Sequence, residues 1–420
     1  MMQFMTGLTY LRKDMTISFR KLLAVTLLFS SSFAWFFVFY QNFGDIFVGF
    51  TSDFWFNSAR AIFLVSTVVS ATLGTALANI TNRRKFLFLW IISGIIAVAP
   101  IPFIRGNEFS LLFSIISGAS FGVGFPSCMA FLADSTKVEE RGRVSSLAIF
   151  VSFVFAAFLL SAASAMGFSS TLDAPLSQPY GIVMLSIGIK IVGFLAFALD
   201  PIDRKKAKVK SWSKILRGKD FALYTLVYVL FNIAAGLISF VWRGLPSTPE
   251  FEYVTSLYSI RYLGLGVFAL IAGLMADRVG RKAPIYMGLL MIAAAYLSIG
   301  LTITPETYFI NFLLSGLAWG IIIVIYLVIP GDLSIAGSTE SFYALGWLLP
   351  LTFNLGSSFI PEFIPAFNIP VAVLAYILSI VLFSSTIPIF SAKETLPETK
   401  KHEREMREYL DDKVHKYGKK

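Results

Sequence analysis

Long apolar runs recur along the whole sequence, and they restrict the fold more than any other feature. A helix rises about 1.5 Å per residue, so about 20 apolar residues in a row cross the hydrocarbon of a bilayer. Twelve such runs follow one another, and most of the turns between them are short and polar. The chain is therefore predicted to be an all-α integral membrane protein. The predicted spans are 22–41, 60–79, 86–104, 109–133, 144–166, 181–199, 221–241, 257–276, 284–303, 308–329, 342–360 and 369–390.

The composition supports a membrane environment. Hydrophobic residues make up 56% of the 420-residue chain and charged residues only 14%, whereas a soluble domain is about a quarter charged. The chain has too few polar residues to cover a soluble protein of this size. The first apolar run lacks a small-residue cleavage site and is too long for a signal peptide, so we interpret it as a retained span.

The basic residues indicate how the chain is oriented. Nearly all of the 35 lysines and arginines lie before the first span, in the turns after even-numbered spans, or in the C-terminal tail. The positive-inside rule therefore predicts that these segments and both termini are cytoplasmic, in a multi-pass protein of the cell membrane. The net charge of +10 follows from this topology and needs no nucleic-acid partner. The exceptions are Arg60, Arg105, Lys190, Arg243 and Arg261.

A repeat becomes visible when the chain is shifted by 198 residues. The shift superposes spans 1–6 on spans 7–12, and six spans return each half to the same side, so the halves are parallel repeats. The matched pairs include Lys21 with Lys219, Arg83 with Arg281, Gly122 with Gly320 and Asp134 with Asp332. The predicted units are a six-helix bundle over 1–199, a basic linker over 200–220, a second bundle over 221–390 and a charged cytoplasmic tail over 391–420.

The turn between spans 8 and 9 carries a recognisable motif. It reads G-x-x-A-D-R-x-G-R-K from Gly273 to Lys282, and EERGR at 139–143 and LPETK at 396–400 accompany it. Together with the twelve-span repeat, this motif resembles the loop signature of the major facilitator superfamily over almost the whole chain. The resemblance implies a secondary transporter without a cofactor, in which two bundles rock about a central site by alternating access.

The resemblance also implies a gate at the cytoplasmic side. Asp277 and Arg281 are expected to hold it closed, with Arg141 and Glu398 as partners and Arg83 as the first-half equivalent of Arg281. Exposed ion pairs contribute only about 0–1 kcal/mol each, so a few would favour one state without locking it. The alternative is that these charges only keep the turn out of the membrane.

The first-half copy of the motif departs from the pattern. Thr75 and Asn82 replace the two glycines, and Asn79 replaces the aspartate. Asparagine is a good helix N-cap but has no charge. The sequence therefore supports gating by this turn less strongly than gating by its second-half copy.

The candidate solute site comes from the expected architecture, which places it near the midplane between the halves. Polar and aromatic residues of spans 1, 7, 10 and 11 are the candidates, and Asn232 and Trp319 fall closest to mid-span. Each could instead make an interhelical hydrogen bond or pack as an aromatic. The candidates are Trp35, Tyr228, Asn232, Asn311, Trp319, Tyr326, Trp347 and Asn354.

Three basic residues within or near the spans join the candidate site. Lys190 lies in the middle of span 6, and Arg60 and Arg261 lie at the outer ends of spans 2 and 8. A mid-membrane ionisable group is a functional hypothesis by default; the alternative is a neutral lysine bonded to a backbone carbonyl. The arginines could instead pair with Asp45 or Asp53, or lie among headgroups. Because no span has a carboxylate at its centre, a neutral or anionic solute is favoured over a cationic one.

The predicted function is secondary or facilitative transport of a small polar or anionic organic solute by a monomer, with proton or ion coupling left open. The alternatives are sugar-porter-like uptake of a neutral sugar, export of drugs or other amphipathic compounds, and a receptor built on a transporter fold. An enzyme is disfavoured, since His402 and His415 lie in the tail and the lone Cys128 makes no metal site. ATP-driven transport is disfavoured because no phosphate-binding loop is present.

Overall fold

The computed structural model describes most of the chain as helices packed in two halves. The described residues are 15–41, 43–46, 52–103, 106–165, 177–199, 215, 217–238, 258–335, 337–357, 370–399, 402–403 and 406. Every regular element within them is helical, as the apolar runs predict. The predicted linker and tail lie largely outside these residues.

The described residues of the first half form eight α-helices and a short 3₁₀ turn over Ile101–Phe103. Predicted span 4 is divided into α5 and α6 at Gly124. Because Pro126 lies in the first turn of α6 and has no backbone N–H to donate, a new helix begins there. The helices are α1 (Phe19–Gln41), α2 (Phe43–Ile46), α3 (Asp53–Ile80), α4 (Arg83–Val98), α5 (Asn107–Gly122), α6 (Phe125–Asp134), α7 (Arg141–Ala165) and α8 (Ser177–Ala198).

The second half follows the same order. The described part of its fifth predicted span, 342–357, is a continuous helical run that changes to a π-helix over Ala344–Leu348. The α-helices are α9 (Lys219–Leu237), α10 (Tyr258–Arg278), α11 (Lys282–Leu301), α12 (Pro305–Leu333), α13 (Thr339–Tyr343), α14 (Leu349–Ser357), α15 (Val371–Ser384) and α16 (Thr386–Ser391).

Ten helical segments among the described residues are long and apolar enough to cross a membrane. The described parts of the other two predicted spans, 257–276 and 342–360, lie in α10 and in the run from α13 to α14. The multi-pass helical architecture is thus confirmed, and the count of twelve spans stays a prediction.

The 198-residue repeat appears in the packing of the two halves. A Cβ atom added at Gly122 would overlap the carbonyl oxygen of Thr67, and one added at Gly320 would overlap the carbonyl oxygen of Leu265. Thr67 and Leu265 are themselves 198 residues apart. Glycine therefore lets α5 approach α3 in the first half as closely as α12 approaches α10 in the second.

The two halves meet mainly where α7 of the first half runs along α10 of the second. Gly142 on α7 and Gly273 on α10 face each other, and a Cβ at Gly142 would lie 2.7 Å from the carbonyl oxygen of Gly273. Further along the same pair, the rings of Phe153 and Tyr262 stack with centroids 6.1 Å apart. Small residues at one end and aromatic rings further along therefore hold the halves together.

We expect the two equivalent glycines to be intolerant of a side chain. Gly122→Ala and Gly320→Ala should each lower the free energy of unfolding by about 1–3 kcal/mol, because the new methyl group overlaps a backbone carbonyl that cannot move freely. Thermal unfolding of detergent-solubilised protein, followed by tryptophan fluorescence, measures this.

Gly188 on α8 provides the matched control. A Cβ there meets no atom within 4 Å, so Gly188→Ala should leave stability unchanged or raise it slightly. Equal stability of all three variants would contradict the close packing.

Candidate transport cavity and charge network

A cavity of about 250 Å³ lies between the two halves. Its first-half wall comes from α1 and α7, and its second-half wall comes from α9 to α12 and α14. It lies near the C-terminal end of α1 and the N-terminal end of α10, away from the loops that carry most of the basic residues. We call the side of the molecule that carries these basic loops the basic end. The polar residues that line the cavity are Tyr40, Gln41, Arg261, Tyr262, Tyr296, Ser315, Trp319 and Asn354.

Arg261 supplies positive charge to this cavity. Its Nη2 donates to the Ser315 hydroxyl at 3.3 Å, and its Cζ lies 5.1 Å from the ring centroid of Phe312. The stem of the side chain runs past Gly316, where a Cβ would come within 3.1 Å of the arginine Cγ. The described residues that line the cavity include this one guanidinium and no carboxylate.

Three of the eleven predicted site residues line the cavity, namely Trp319, Asn354 and Arg261. Asn354 also donates from Nδ2 to the backbone carbonyl of Asn232 at 3.2 Å, which ties α14 to α9. Of the two residues predicted closest to the midplane, Trp319 faces the cavity. The Asn232 side chain instead donates to the carbonyl oxygen of Tyr228 on its own helix at 2.7 Å.

Other predicted site residues serve as helix contacts. The rings of Tyr228 and Tyr326 stack inside the second half with centroids 4.2 Å apart. Asn311 donates from Nδ2 to the carbonyl oxygen of Ala295 at 2.6 Å and so joins α12 to α11. These side chains match the packing and hydrogen-bonding alternative that the sequence left open.

Lys190 lies inside the first half and does not line the cavity. Its Nζ lies 3.8 Å from the ring centroid of Trp35, a cation–π geometry, and 2.5 Å from where a Cβ of Gly94 would be. Its described contact is therefore an aromatic face, which is neither the solute cavity of the functional hypothesis nor the backbone carbonyl of the alternative. Arg60 does not line the cavity; it lies over the ring of Tyr40, which does, with Cζ 4.7 Å from the centroid.

Sequence reasoning missed several cavity residues. Tyr262 and Tyr296 lie on spans 8 and 9, from which Arg261 was the only candidate, and Tyr40 and Gln41 lie at the very end of span 1. Tyr40 donates to the carbonyl oxygen of Leu355 across the two halves at 3.2 Å. The position of Tyr262 beside Arg261 was the one available signal.

At the basic end, Asp277 of the second half caps a helix of the first half. Its Oδ1 accepts the backbone N–H of Gly142 at 2.9 Å, and its Oδ2 accepts the N–H of Arg143 at 3.0 Å and the Nε–H of Arg143 at 3.1 Å. These donors lie in the first turn of α7, where a carboxylate also gains from the helix dipole. Asp277 thus lies between the two halves, and the arginine that contacts it from the first half is Arg143, the last residue of EERGR, whereas Arg141 was expected from the sequence.

The surroundings of Asp277 shift its protonation in opposing directions. Burial raises the pKa of Asp277 above its ordinary value, while the guanidiniums of Arg281 and Arg143 and the backbone donors act to lower it. The ionised carboxylate attracts both guanidiniums and accepts all of these bonds, so protonation would weaken the closed interface.

The motif glycines have separate structural reasons. Gly280 has a φ of +120°, and a Cβ there would lie 2.6 Å from Oε2 of Glu394. Gly273 admits the backbone of Gly142, whose own Cβ would lie 2.5 Å from Oδ1 of Asp277. Both motif glycines are therefore required by backbone geometry next to the charged groups.

Asp332 is the centre of the second-half charge cluster. Its Oδ1 accepts Nη1 of Arg141 from the first half at 2.6 Å, and its Oδ2 accepts Nε of Arg281 at 2.9 Å and the hydroxyl of Thr395 at 3.0 Å. Arg281 also donates from Nη2 to the carbonyl oxygen of Val138, across the halves, at 2.6 Å.

The first half repeats this cluster at positions offset by 198. Asp134 accepts Nη1 of Arg83 at 2.7 Å and the hydroxyl of Thr339 at 3.4 Å, just as Asp332 accepts Arg281 and Arg141. Arg83 also forms an ion pair with Glu340 of the second half. The turn with the incomplete motif therefore does contribute a cross-half contact, through Arg83.

Two expectations about the gate are corrected. Glu398 is exposed, and the tail carboxylate that contacts the motif turn is that of Glu394, which accepts the backbone N–H groups of Arg281 at 2.9 Å and of Lys282 at 3.2 Å. The ion pairs were also expected to be exposed, but the side chains of Arg281 and Asp332 are both 0% exposed. The small value for surface pairs therefore does not apply to this pair.

Comparison with known proteins agrees with this architecture. Residues 22–361 match the sequence profile of the Major Facilitator Superfamily. No curated protein sequence shows a significant match. The human organic anion transporter MFSD10 (TETRAN) has a similar structure, with a TM-score of 0.63 and 15% identity over 88% of this chain and 99% of that one. The proton:xylose symporter XylE superposes with a TM-score of 0.62 and 14% identity over 89% and 95% of the two chains.

The chain therefore belongs to the major facilitator superfamily, a family of membrane transporters. At this level of identity the two structures show the shared fold alone. They do not assign a solute.

We expect Arg281→Ala to open the basic end. Removing one partner of a buried ion pair costs about 3–5 kcal/mol, since it leaves Asp332 and Asp277 buried without this guanidinium. Spin labels at Lys137→Cys and Ile335→Cys, in a Cys128→Ser background, report the distance between the two halves at this end. The distribution should shift to longer distances.

Arg278→Ala is the control, because this neighbouring arginine is exposed. Its distance distribution should match that of the parent protein. If Arg281→Ala and Arg278→Ala gave the same distribution as the parent, the charge network would have no gating role.

Proposed function

We propose that this chain is a secondary or facilitative transporter that moves a small polar or anionic organic solute across the cell membrane by alternating access. The cavity between the halves would hold the solute, and the protein would act as a monomer. The positive-inside pattern assigns the basic end to the cytoplasm. Under this proposal the closed charge network is the cytoplasmic gate, and an outward-facing state is the one in which that gate is closed.

The observation that supports an anionic solute best is the composition of the cavity wall. Arg261 is the only charged residue among the described residues that line it. A carboxylate or phosphate would form charge-assisted hydrogen bonds with its guanidinium, which are stronger than neutral ones. The rings of Phe33, Phe36 and Phe37 line the same cavity and would contact the apolar part of an organic anion.

The related structures support small organic solutes without deciding among them. MFSD10 is described as an organic anion transporter, which agrees with the anionic solute proposed here. XylE is described as a proton:xylose symporter, and the hydroxyl and amide groups of Tyr296, Ser315 and Asn354 would also suit a neutral sugar. Export of amphipathic compounds is the third possibility.

A ligand screen tests the proposed function. Thermal unfolding of the purified protein is measured with organic acids, phosphate esters, sugars and cationic dyes, and each ligand that raises the melting temperature is then tested for flux in proteoliposomes. A ligand at 100 times its Kd should add about 2.7 kcal/mol of apparent stability. We expect organic anions to stabilise the protein and to be transported; binding without flux would favour the receptor alternative.

We expect Arg261→Gln to weaken anion binding selectively. Losing one hydrogen bond to a charged group costs about 1.5–3 kcal/mol, which corresponds to about a 10- to 150-fold rise in Kd for the anion. The Kd of a neutral analogue of the same shape should change little. Isothermal titration with the anion and its amide analogue measures both.

Arg60→Gln is the matched control, because Arg60 lies at the same end of the molecule but does not line the cavity. It should leave the anion Kd close to that of the parent protein. An equal loss in both variants, or no loss in Arg261→Gln, would contradict the assignment of Arg261 to the solute site.

A further inference from the structure

The helical run from Thr339 to Ser357 contains a π-helical turn at Ala344–Leu348, in which the backbone N–H of Leu349 donates to the carbonyl oxygen of Ala344. Pro350 follows directly and has no N–H, so the α-helical bond to the carbonyl of Gly346 cannot form. π-Helical turns are rare in proteins, and those that occur are often found at functional sites.

Trp347 lies within this π-helical turn and reaches into the other half of the protein. Its side chain is 0% exposed. Its ring centroid lies 5.6 Å from that of Phe33, 5.7 Å from that of Phe125 and 6.5 Å from that of Phe29. All three phenylalanines belong to the first half, and we call them the aromatic socket.

The position of Trp347 along its helix places it between the cavity and the charge network. Leu351, about 6 Å further along the axis, lines the cavity, and so does Phe33 of the socket. Glu340, about 10 Å earlier, pairs with Arg83 in the charge network. The indole therefore occupies the path that a solute would take from the cavity to the basic end.

The indole N–H of Trp347 is buried and has no hydrogen-bond acceptor among the described residues. A buried tryptophan N–H usually has a partner, and each exception requires an explanation. This N–H has no described acceptor in the closed state and lies next to the cavity. It is therefore suited to donate a hydrogen bond to a solute when the path opens.

We propose that Trp347 is the inner gate of the transport path. In the closed state its ring fills the aromatic socket and separates the cavity from the basic end. When the contacts of Thr339 and Glu340 with the first half break, the start of the same helix is released, the ring leaves the socket, and its N–H becomes available to the passing solute. This inference rests on the alternating access proposed above.

The repeat shows that this device belongs to the second half alone. The residue 198 positions before Trp347 is Ile149, and the one before Pro350 is Ser152. Both lie in α7, which is a regular α-helix from Arg141 to Ala165. The charge network is therefore built from residues that the repeat duplicates. Trp347 has no such counterpart and closes the path between this network and the cavity.

The test measures both ends of the protein with spin labels in the Cys128→Ser background. The Lys137→Cys and Ile335→Cys pair reports the basic end, and the Glu108→Cys and Glu306→Cys pair, also 198 residues apart, reports the opposite end. Trp347→Ala should raise the ratio of open to closed protein at the basic end by about tenfold or more, because a buried large side chain is lost from the interface between halves. Trp347→Phe refills the socket and should stay close to the parent.

Two further variants separate a gate from a general loss of packing. Phe131→Ala removes a buried ring that packs on Phe197 within the first half, so it should leave both distance distributions unchanged. Phe29→Ala removes part of the socket and should act like Trp347→Ala. The double variant should show less than the sum of the two effects, because both remove the same contact.

The outcomes distinguish the inner gate from the proposed function. If parent protein exchanges between the two states and carries solute, but a folded, monodisperse Trp347→Ala variant has unchanged distances, the gate assignment is wrong and transport stands. An equal shift in Phe131→Ala would also overturn the gate assignment. A parent protein with neither exchange nor flux would contradict alternating access itself.

Discussion

The structure depends on a carboxylate of one half that satisfies backbone donors of the other. Asp277, at the end of α10, accepts the first N–H groups of α7 across the interface. Those donors have no partner within their own helix. Burying the carboxylate without hydrogen bonds would also cost free energy, so each group satisfies the other. The two halves therefore complete each other only while the basic end is closed, and opening it requires water or solvated ions to replace these bonds.

The remaining charge network determines at which end of the molecule the two halves meet. Asp332 and Asp134 occupy equivalent positions, and each binds an arginine of its own half together with a group of the other half. Buried pairs of this kind contribute little net stability, because desolvation offsets much of their attraction. Their value lies in specificity, since they fix how the halves meet at one end and leave the opposite end free for a cavity.

Much of this arrangement could be predicted from the sequence, because it follows from periodic or local signals. Hydropathy predicts the helices, the 198-residue repeat predicts that Asp134 corresponds to Asp332, and the motif around Asp277 points to the turn where the two halves are in contact. The solute site was harder to predict. Asn232 and Tyr326 are polar residues on the right spans, yet they pack inside one half. Which face of a buried helix meets the cavity depends on tertiary packing, because both faces are apolar in sequence.

The π-helical turn at Trp347 could not be predicted from the sequence for the same reason, because it also depends on tertiary packing. Pro350 marks an irregularity in the sequence, but the register of the helix and its insertion into the other half appear only in three dimensions.

The central claim is that the two ends open in turn about the cavity. Single-molecule distance measurements on otherwise unaltered protein, labelled at Lys137 and Ile335 or at Glu108 and Glu306, test it most directly. The account predicts that added solute lengthens one distance while it shortens the other; a basic end that stays closed throughout transport would contradict it.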